Sequence, residues 1–316
     1  MITRRAFVPG MALGLTGCGR RQRKTLAVVP KANADLFFLT VRAGAERAAG
    51  ELDVAMTWNG PDHETEYSRQ IQIVDATIAR GVDGIAISAT EETALAGPLE
   101  RAIRAGIPVT MFDSAAKIEN YVSLIATDNY GAGCTAARRL AALLPETSTV
   151  AMLMQKPGGT STELREHGFA ETMGKEFPRV TIVARQYGMG DRAKSVAIAE
   201  NILTAHPTVG GLFASSEACS LGAIRALRSR GLGSKVKLIT FDVSDIHVEA
   251  LRDGTADVMM VQDAFRIGYE AVKSLADKLA MRAVVRRVDI PARVLVKADL
   301  DKPDVQALLG PKLIKD

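Results

Sequence analysis

Residues 82–88, VDGIAIS, lead through one helix-length segment to residues 109–113, VTMFD; the scheme returns at residues 209–215, VGGLFAS, leading to residues 238–242, LITFD. Each pair is an apolar run of strand length, a helical stretch, and a second apolar run closing on Phe-Asp. Short continuous runs of this kind mark strands buried on both faces, the mark of a parallel sheet. Strands alternating with helices build right-handed βαβ units. The same unit in both halves of the chain predicts two similar α/β lobes.

Outward from these stretches the alternation continues. Thr25 to Pro30 (TLAVVP) reads as a strand, and Val41, Ala45, Ala48, Ala49 and Leu52 then recur at helical spacing. Val54 to Trp58 is the next strand, Glu64 to Arg80 a helix, and Ile107 to Phe112 a further strand. In the second half, Thr149 to Met154, Val180 to Tyr187, Val209 to Ala214 and Val236 to Phe241 are strands with helices between them. Open α/β sheets bind ligands outside the carboxyl ends of their strands. Asp113 and Asp242 stand at two such ends and point to a cleft between the lobes.

The bulk numbers narrow the function classes. The chain has 316 residues, 47% hydrophobic and 24% charged, with a formal net charge of +4. Much of that charge belongs to Arg4, Arg5, Arg20, Arg21, Arg23 and Lys24. The body is near neutral, so the balance does not indicate a nucleic-acid partner. Cys18, Cys134 and Cys219 are an odd, irregularly spaced set, which argues against a disulfide framework. His63, His167, His206 and His247 lie far apart, so no metal site and no cofactor is expected.

The first residues read as an address. Thr3-Arg4-Arg5-Ala6-Phe7 is a basic opening followed by a short apolar run from Val8 to Thr16, the layout of an export signal. Its twin arginines resemble the signal for export of folded proteins, with the general route as the alternative. Leu15-Thr16-Gly17-Cys18 resembles a bacterial lipobox, in which Cys18 is lipidated and becomes the new N-terminus. Two or more acyl chains on Cys18 give stable anchoring. Residues 1–18 are thus expected to be a lipoprotein export signal and residues 19–24 a short tether, with the body in the periplasm or cell envelope.

Catalytic signatures are missing. No phosphate loop of the Gly-x-x-x-x-Gly-Lys-[Ser/Thr] type, no His-Glu-x-x-His and no Gly-x-Ser-x-Gly elbow occurs. Gly131-Ala132-Gly133 lacks the third glycine of a dinucleotide fingerprint and reads as close helix packing. Gly158-Gly159-Thr160-Ser161 opens a helix whose N-terminus suits an anion, with Thr160 or Ser161 as an N-cap the simpler reading. Asp113 and Asp242 have no nucleophile or metal cluster beside them, so hydrogen-bond acceptance is expected rather than catalysis.

From about Lys24 to Lys297 the chain resembles the periplasmic sugar-binding proteins of ABC transporters, the ribose-binding type in particular. The landmarks are Phe37-Phe38, Ala105-Gly106-Ile107-Pro108-Val109, Phe112-Asp113, Thr127-Asp128-Asn129 and Gly159-Thr160-Ser161. They continue with Arg165-Glu166-His167-Gly168-Phe169, Thr204-Ala205-His206-Pro207, Leu221-Gly222-Ala223, Phe241-Asp242 and Gln262. The resemblance implies two Rossmann-like lobes with parallel sheets joined by a three-crossover hinge, the periplasmic binding protein-like I fold. The crossovers fall near Thr127-Asp128, Gln262-Asp263 and Pro291 to Arg293. One lobe then takes residues 25–127 and 263–291, the other residues 128–262 and 292–316.

The resemblance also implies a ligand site. Phe37 and Phe38 would face the C–H side of a sugar ring, Asp113 and Asp242 would accept from hydroxyls, and Arg165 would donate with a planar fork. Gln262 would donate and accept beside a hinge. Three positions depart from the ribose pattern: Asp35 and Ser216 where Asn is expected, and Ser114 where Arg is expected; Glu217 follows Ser216. These make the cleft more acidic and remove one donor fork, which puts ribose itself in doubt. The expected partners are a monosaccharide or similar small molecule, an ABC transporter permease and, through Cys18, a membrane, with the protein a monomer. Alternatives are a same-fold receptor reporting to a chemoreceptor or sensor kinase, or a binder of a small cationic or polyol ligand.

Overall fold

The computed structural model describes residues 23–33 and 35–309. Residues 1–22, with the expected signal and Cys18, lie outside the described residues. The first half supplies β1 (Thr25–Val29), β2 (Ala55–Trp58), β3 (Gly84–Ile87), β4 (Val109–Phe112) and β5 (Leu124–Thr127). The second supplies β6 (Thr149–Met154), β7 (Thr181–Tyr187), β8 (Gly211–Ala214), β9 (Lys237–Phe241) and β10 (Val258–Val261). Two late strands, β11 (Arg287–Ile290) and β12 (Arg293–Leu295), complete one sheet each. The orders are β11-β5-β4-β3-β1-β2 and β12-β10-β9-β8-β6-β7. Replacing each strand by its counterpart five places on, with β12 for β11, converts one order into the other. The repeat seen in the Phe-Asp segments is therefore a repeat of whole-lobe topology.

Helices α1 (Leu36–Glu51), α2 (Tyr67–Ala79) and α3 (Ala96–Arg104) cover the first sheet together with α9 (Ala264–Leu279). Helices α4 (Asn129–Ala141), α5 (Thr160–Glu176), α6 (Arg192–Ala205), α7 (Glu217–Ser229), α8 (Asp245–Asp253) and α10 (Pro303–Leu309) belong with the second. The strands β3, β4, β8 and β10 are buried along their whole length, as their unbroken apolar runs require. Side chains such as Leu26, Ile85 and Leu212 are fully buried and contribute about 1.5–3 kcal/mol each.

Three crossovers join the lobes. The chain leaves β5 at Thr127 and enters α4, which packs on α5 of the other lobe; it returns after Val261 into α9, which packs on α1. Both docked helix pairs close on glycine. A Cβ on Gly44 would sit 1.9 Å from the Phe265 carbonyl oxygen, and one on Gly133 would sit 2.1 Å from that of Arg165. Gly133 is thus a packing glycine. The third crossover is Pro291-Ala292 between β11 and β12.

Two details differ from the sequence expectation. The ladders are parallel except β10–β12, which is antiparallel. The two-residue link from β11 delivers the chain to the second sheet at the carboxyl ends of its strands, and without a returning helix it must run backwards. Helix α2 starts at Tyr67 rather than Glu64, because Glu66 Oε2 accepts from the backbone N–H of Asp62 (3.0 Å) and of His63 (2.9 Å) and holds them in a turn.

Candidate functional site

A cavity of about 390 Å³ lies where the carboxyl ends of the two sheets face each other, within the size range of small-molecule sites. Asp35, Phe37, Phe38, Asp113, Arg165, Ser216, Glu217, Asp242 and Gln262 all line it. Ser114 does not. Its side chain is fully buried behind the wall, with its Oγ 3.0 Å from Ser161 Oγ and 3.3 Å from Lys31 Nζ.

The two strand-end aspartates share a backbone device. Asp113 has φ +56° and Asp242 φ +71°, left-handed conformations that Asp tolerates better than most residues. The chain turns sharply at each strand end and leaves a carboxylate there. Asp113 Oδ2 accepts from Ser88 Oγ at 2.8 Å and pairs with Lys31 Nζ at 2.9 Å. Asp242 Oδ1 accepts from Gln262 Nε2 at 2.6 Å, Oδ2 accepts from the Glu217 N–H at 3.1 Å, and Arg165 Nη1 lies 4.0 Å away. Each lobe thus supplies its own aspartate with its own cation.

Arg165 is fully enclosed by groups that fix its plane. Its Nε donates to Asn129 Oδ1 at 2.7 Å, Nη1 donates to the Ser215 carbonyl at 3.0 Å, and the guanidinium lies 4.1 Å from the centroid of the Phe241 ring. Such stacking adds attraction in a desolvated setting. Phe38 is both core and wall: it is 1% exposed and packs in the first lobe's core, with Phe37 edge-on to it at 5.0 Å.

Carboxylates dominate the lining. Asp35, Asp62, Glu64, Asp113, Asp191, Glu217 and Asp242 stand against Lys31, Arg165 and Arg192. Burial, with Glu64 adding repulsion, raises the Asp35 pKa above its usual value. Burial, together with Asp242 and Asp35, pushes Glu217 up to about 7, although Arg192 sits 3.0 Å from it. Below the floor of the cavity, Glu166 Oε1 accepts from the Gln155 N–H (2.9 Å) and from Ser215 Oγ (2.6 Å), while Oε2 has no partner among the described residues. Burial pushes Glu166 up to about 7. For Lys31 burial pulls downward, but the Asp113 and Glu64 carboxylates outweigh it and hold the ammonium above 10.5.

The lobes touch around the cavity. Thr160 Oγ1 accepts from the Ala115 N–H at 2.8 Å, the Glu92 N–H donates to the Gly158 carbonyl at 3.1 Å, and Gln155 Nε2 donates to Glu64 Oε2 at 3.1 Å. Lys156 Nζ donates to the Thr90 carbonyl. These bonds correct the expected N-cap. Gly159 occupies the cap position of α5, while the Thr160 and Ser161 oxygens are spent on Ala115, Ser114 and Lys31 across the seam. Gly158, at φ +81°, lets Glu91 approach where a Cβ would lie 2.9 Å from its side chain.

Sequence reasoning passed over Lys31, Glu64, Gln155 and Arg192, which also line the cavity. Gln155 directly follows β6 and Lys31 stands two residues past the end of β1, so the strand-end rule that picked out Asp113 would have found both. Lys31 stands beside position 114, its ammonium 3.3 Å from Ser114 Oγ. Glu64 lies in the turn after β2 and Arg192 opens α6 after β7, equivalent places in the repeat, and neither carries a local motif.

The family model described as "Periplasmic binding protein domain" matches residues 26–282. The ribose import binding protein RbsB of Escherichia coli (strain K12) is 28% identical over 92% of this chain and 97% of its own length. The D-ribose/D-allose-binding protein of Pseudomonas aeruginosa is 30% identical over 81% of this chain and 83% of its own. Among solved structures, a carbohydrate transporter solute binding protein from Agrobacterium radiobacter, in complex with D-arabinose, superposes with a TM-score of 0.89 at 30% identity, covering 92% of this chain and all of that one.

Proposed function

Because the chain belongs to the periplasmic binding protein family, we propose that it captures a monosaccharide between its lobes and presents it to an ABC importer. The observation that carries this function is the pairing of Asp113 and Asp242, two buried strand-end carboxylates on opposite walls of one cavity, each neutralised by a cation of its own lobe. Ionised carboxylates accept strongly from hydroxyls. Arg165 offers N–H donors, Gln262 both donates and accepts, and Phe37 and Phe38 offer apolar ring surface. Aldoses present that combination of hydroxyls and C–H faces. The relatives point the same way, being described as binders of ribose, allose or D-arabinose.

In this function Asp35, Phe37, Phe38, Asp113, Arg165, Ser216, Glu217, Asp242 and Gln262 contact the ligand, and Ser114 acts behind the wall through Lys31 and Ser161. Residues 25–127 with 263–291 move as one lobe against the remainder of the body, closing about the three crossovers. The protein binds and releases without chemistry, works as a monomer, and is held at the cell envelope through a lipidated Cys18 after export. A thermal-shift screen of the purified body against pentoses, hexoses and polyols tests the function, since a bound ligand raises the melting temperature by mass action. A flat response across the screen would sink it.

A further inference from the structure

We infer that Lys31 is a specificity-determining residue: it is the cleft's resident counter-ion to Asp113 and sets whether the cavity accepts a neutral sugar or one carrying a protonated amine. The inference rests on the sugar-binding function proposed above and names the property of the ligand that this wall reads. Lys31 is 4% exposed, at the end of β1, and its Nζ lies within 3.5 Å of Asp113, Ser114 and Ser161. These three acceptors engage the three protons of an ammonium. Asp113 and Ser114 belong to the same lobe as Lys31, and Ser161 opens α5 in the other, so the cation reaches its full set of partners only when the lobes meet.

Charge arithmetic gives the contact its consequence. Lys31 and Asp113 together present a neutral, hydrogen-bonding wall to a hydroxyl. Remove the ammonium and the same wall carries an unbalanced carboxylate in a desolvated place, where a ligand amine becomes the best available partner. Remove the carboxylate instead and an unbalanced ammonium repels that amine. The other lining cations have their own carboxylates, Arg165 near Asp242 at 4.0 Å and Arg192 on Glu217 at 3.0 Å. Glu64 Oε2 is 4.0 Å from Lys31 Nζ and accepts from Gln155, so Lys31 also moderates a second acid.

The test is calorimetric titration of the whole body with matched pairs of a neutral aldose and its 2-amino-2-deoxy analogue, pentose and hexose, with the amine protonated. Relative to the unsubstituted protein, Lys31→Met should shift the neutral-to-aminated affinity ratio toward the amine by about tenfold or more, as close charge pairs at interfaces do. Asp113→Asn should shift it the opposite way, and the double variant should return it. Lys31→Arg, which keeps the charge, should leave it within about threefold. An unchanged ratio in Lys31→Met, or a double variant that keeps the shift, overturns the inference while leaving sugar binding intact. Should Lys31→Met not fold, Asp113→Asn alone decides through the sign of its shift. Failure of the unsubstituted protein to bind either member of any pair overturns the sugar function, and this inference with it.

Discussion

Lys31 Nζ and Asp113 Oδ2 lie 2.9 Å apart, both buried, at the ends of β1 and β4. Ser88, at the end of the intervening β3, donates to the same Asp113 oxygen. Across the cavity, Asp242 ends β9 and is faced by Arg165 from α5. Duplicated topology has placed equivalent aspartates opposite each other, while the cation beside each comes from a different kind of position. A site with such internal pairing is set before the ligand arrives, which lowers the ordering cost of binding.

Arg165→Ala should abolish measurable ligand binding and also lower stability by about 3–5 kcal/mol, the usual result of stripping one partner from a buried ion pair. The bonds to Asn129 and Ser215, and the stacking on Phe241, tie this side chain into the fold as well as into the site. Urea denaturation checks it; wild-type stability in this variant would show that the enclosure of Arg165 contributes little.

Gly133→Ala should act at a distance. Its Cβ would meet the Arg165 carbonyl oxygen at 2.1 Å and push α5 away from α4. We expect a stability loss of about 1–3 kcal/mol, typical of overpacking, with weaker ligand affinity because α5 carries Arg165. Gly174→Ala, within α5 with open space around it, serves as the control: it should leave affinity unchanged and raise stability by about 0.5–1 kcal/mol, the usual gain of Ala over Gly in a helix.

The share of stability linked to Glu166 and Glu217 should fall as pH rises from about 4.5 to about 7, while buried His247, pushed down to about 4, works in the opposite direction. Glu166 and Glu217 both have pKa values near 7 in the fold against an ordinary 4.5. Within that window the folded chain holds protons that the unfolded chain has released. Stability linked to these groups is therefore intact below the window and lost progressively across it. Glu217→Gln should flatten part of this slope in a series of melts. A slope identical to that of the unsubstituted protein would show that Glu217 is not one of its sources.

Cys18→Ser should move the protein from the membrane fraction to the soluble extract of cells, since a single residual signal does not give stable anchoring. Continued membrane association of the variant would overturn lipidation at Cys18. The outcome is read by fractionation and immunoblotting, independently of any ligand.

The α/β class and the doubled lobe were written in local pattern. The apolar runs of β1, β3, β4, β8 and β9 are buried in a parallel sheet, and a strand buried on both faces has no choice but to be apolar throughout. Strand β11 escaped notice because Arg287-Val288-Asp289-Ile290 sits at a sheet edge, where only one end needs an apolar side chain. Asp113 and Asp242 were legible for the same local reason, as polar residues closing apolar strands. Their cations were not. The Lys31–Asp113 pair joins residues far apart in sequence, and Ser114 meets Ser161 only because two lobes close on each other. The sequence by itself determined which elements form and where their ends present carboxylates. Only the tertiary structure decided which charges neutralise one another, because Coulomb and hydrogen-bond energies depend on distances across the cleft that no local pattern encodes.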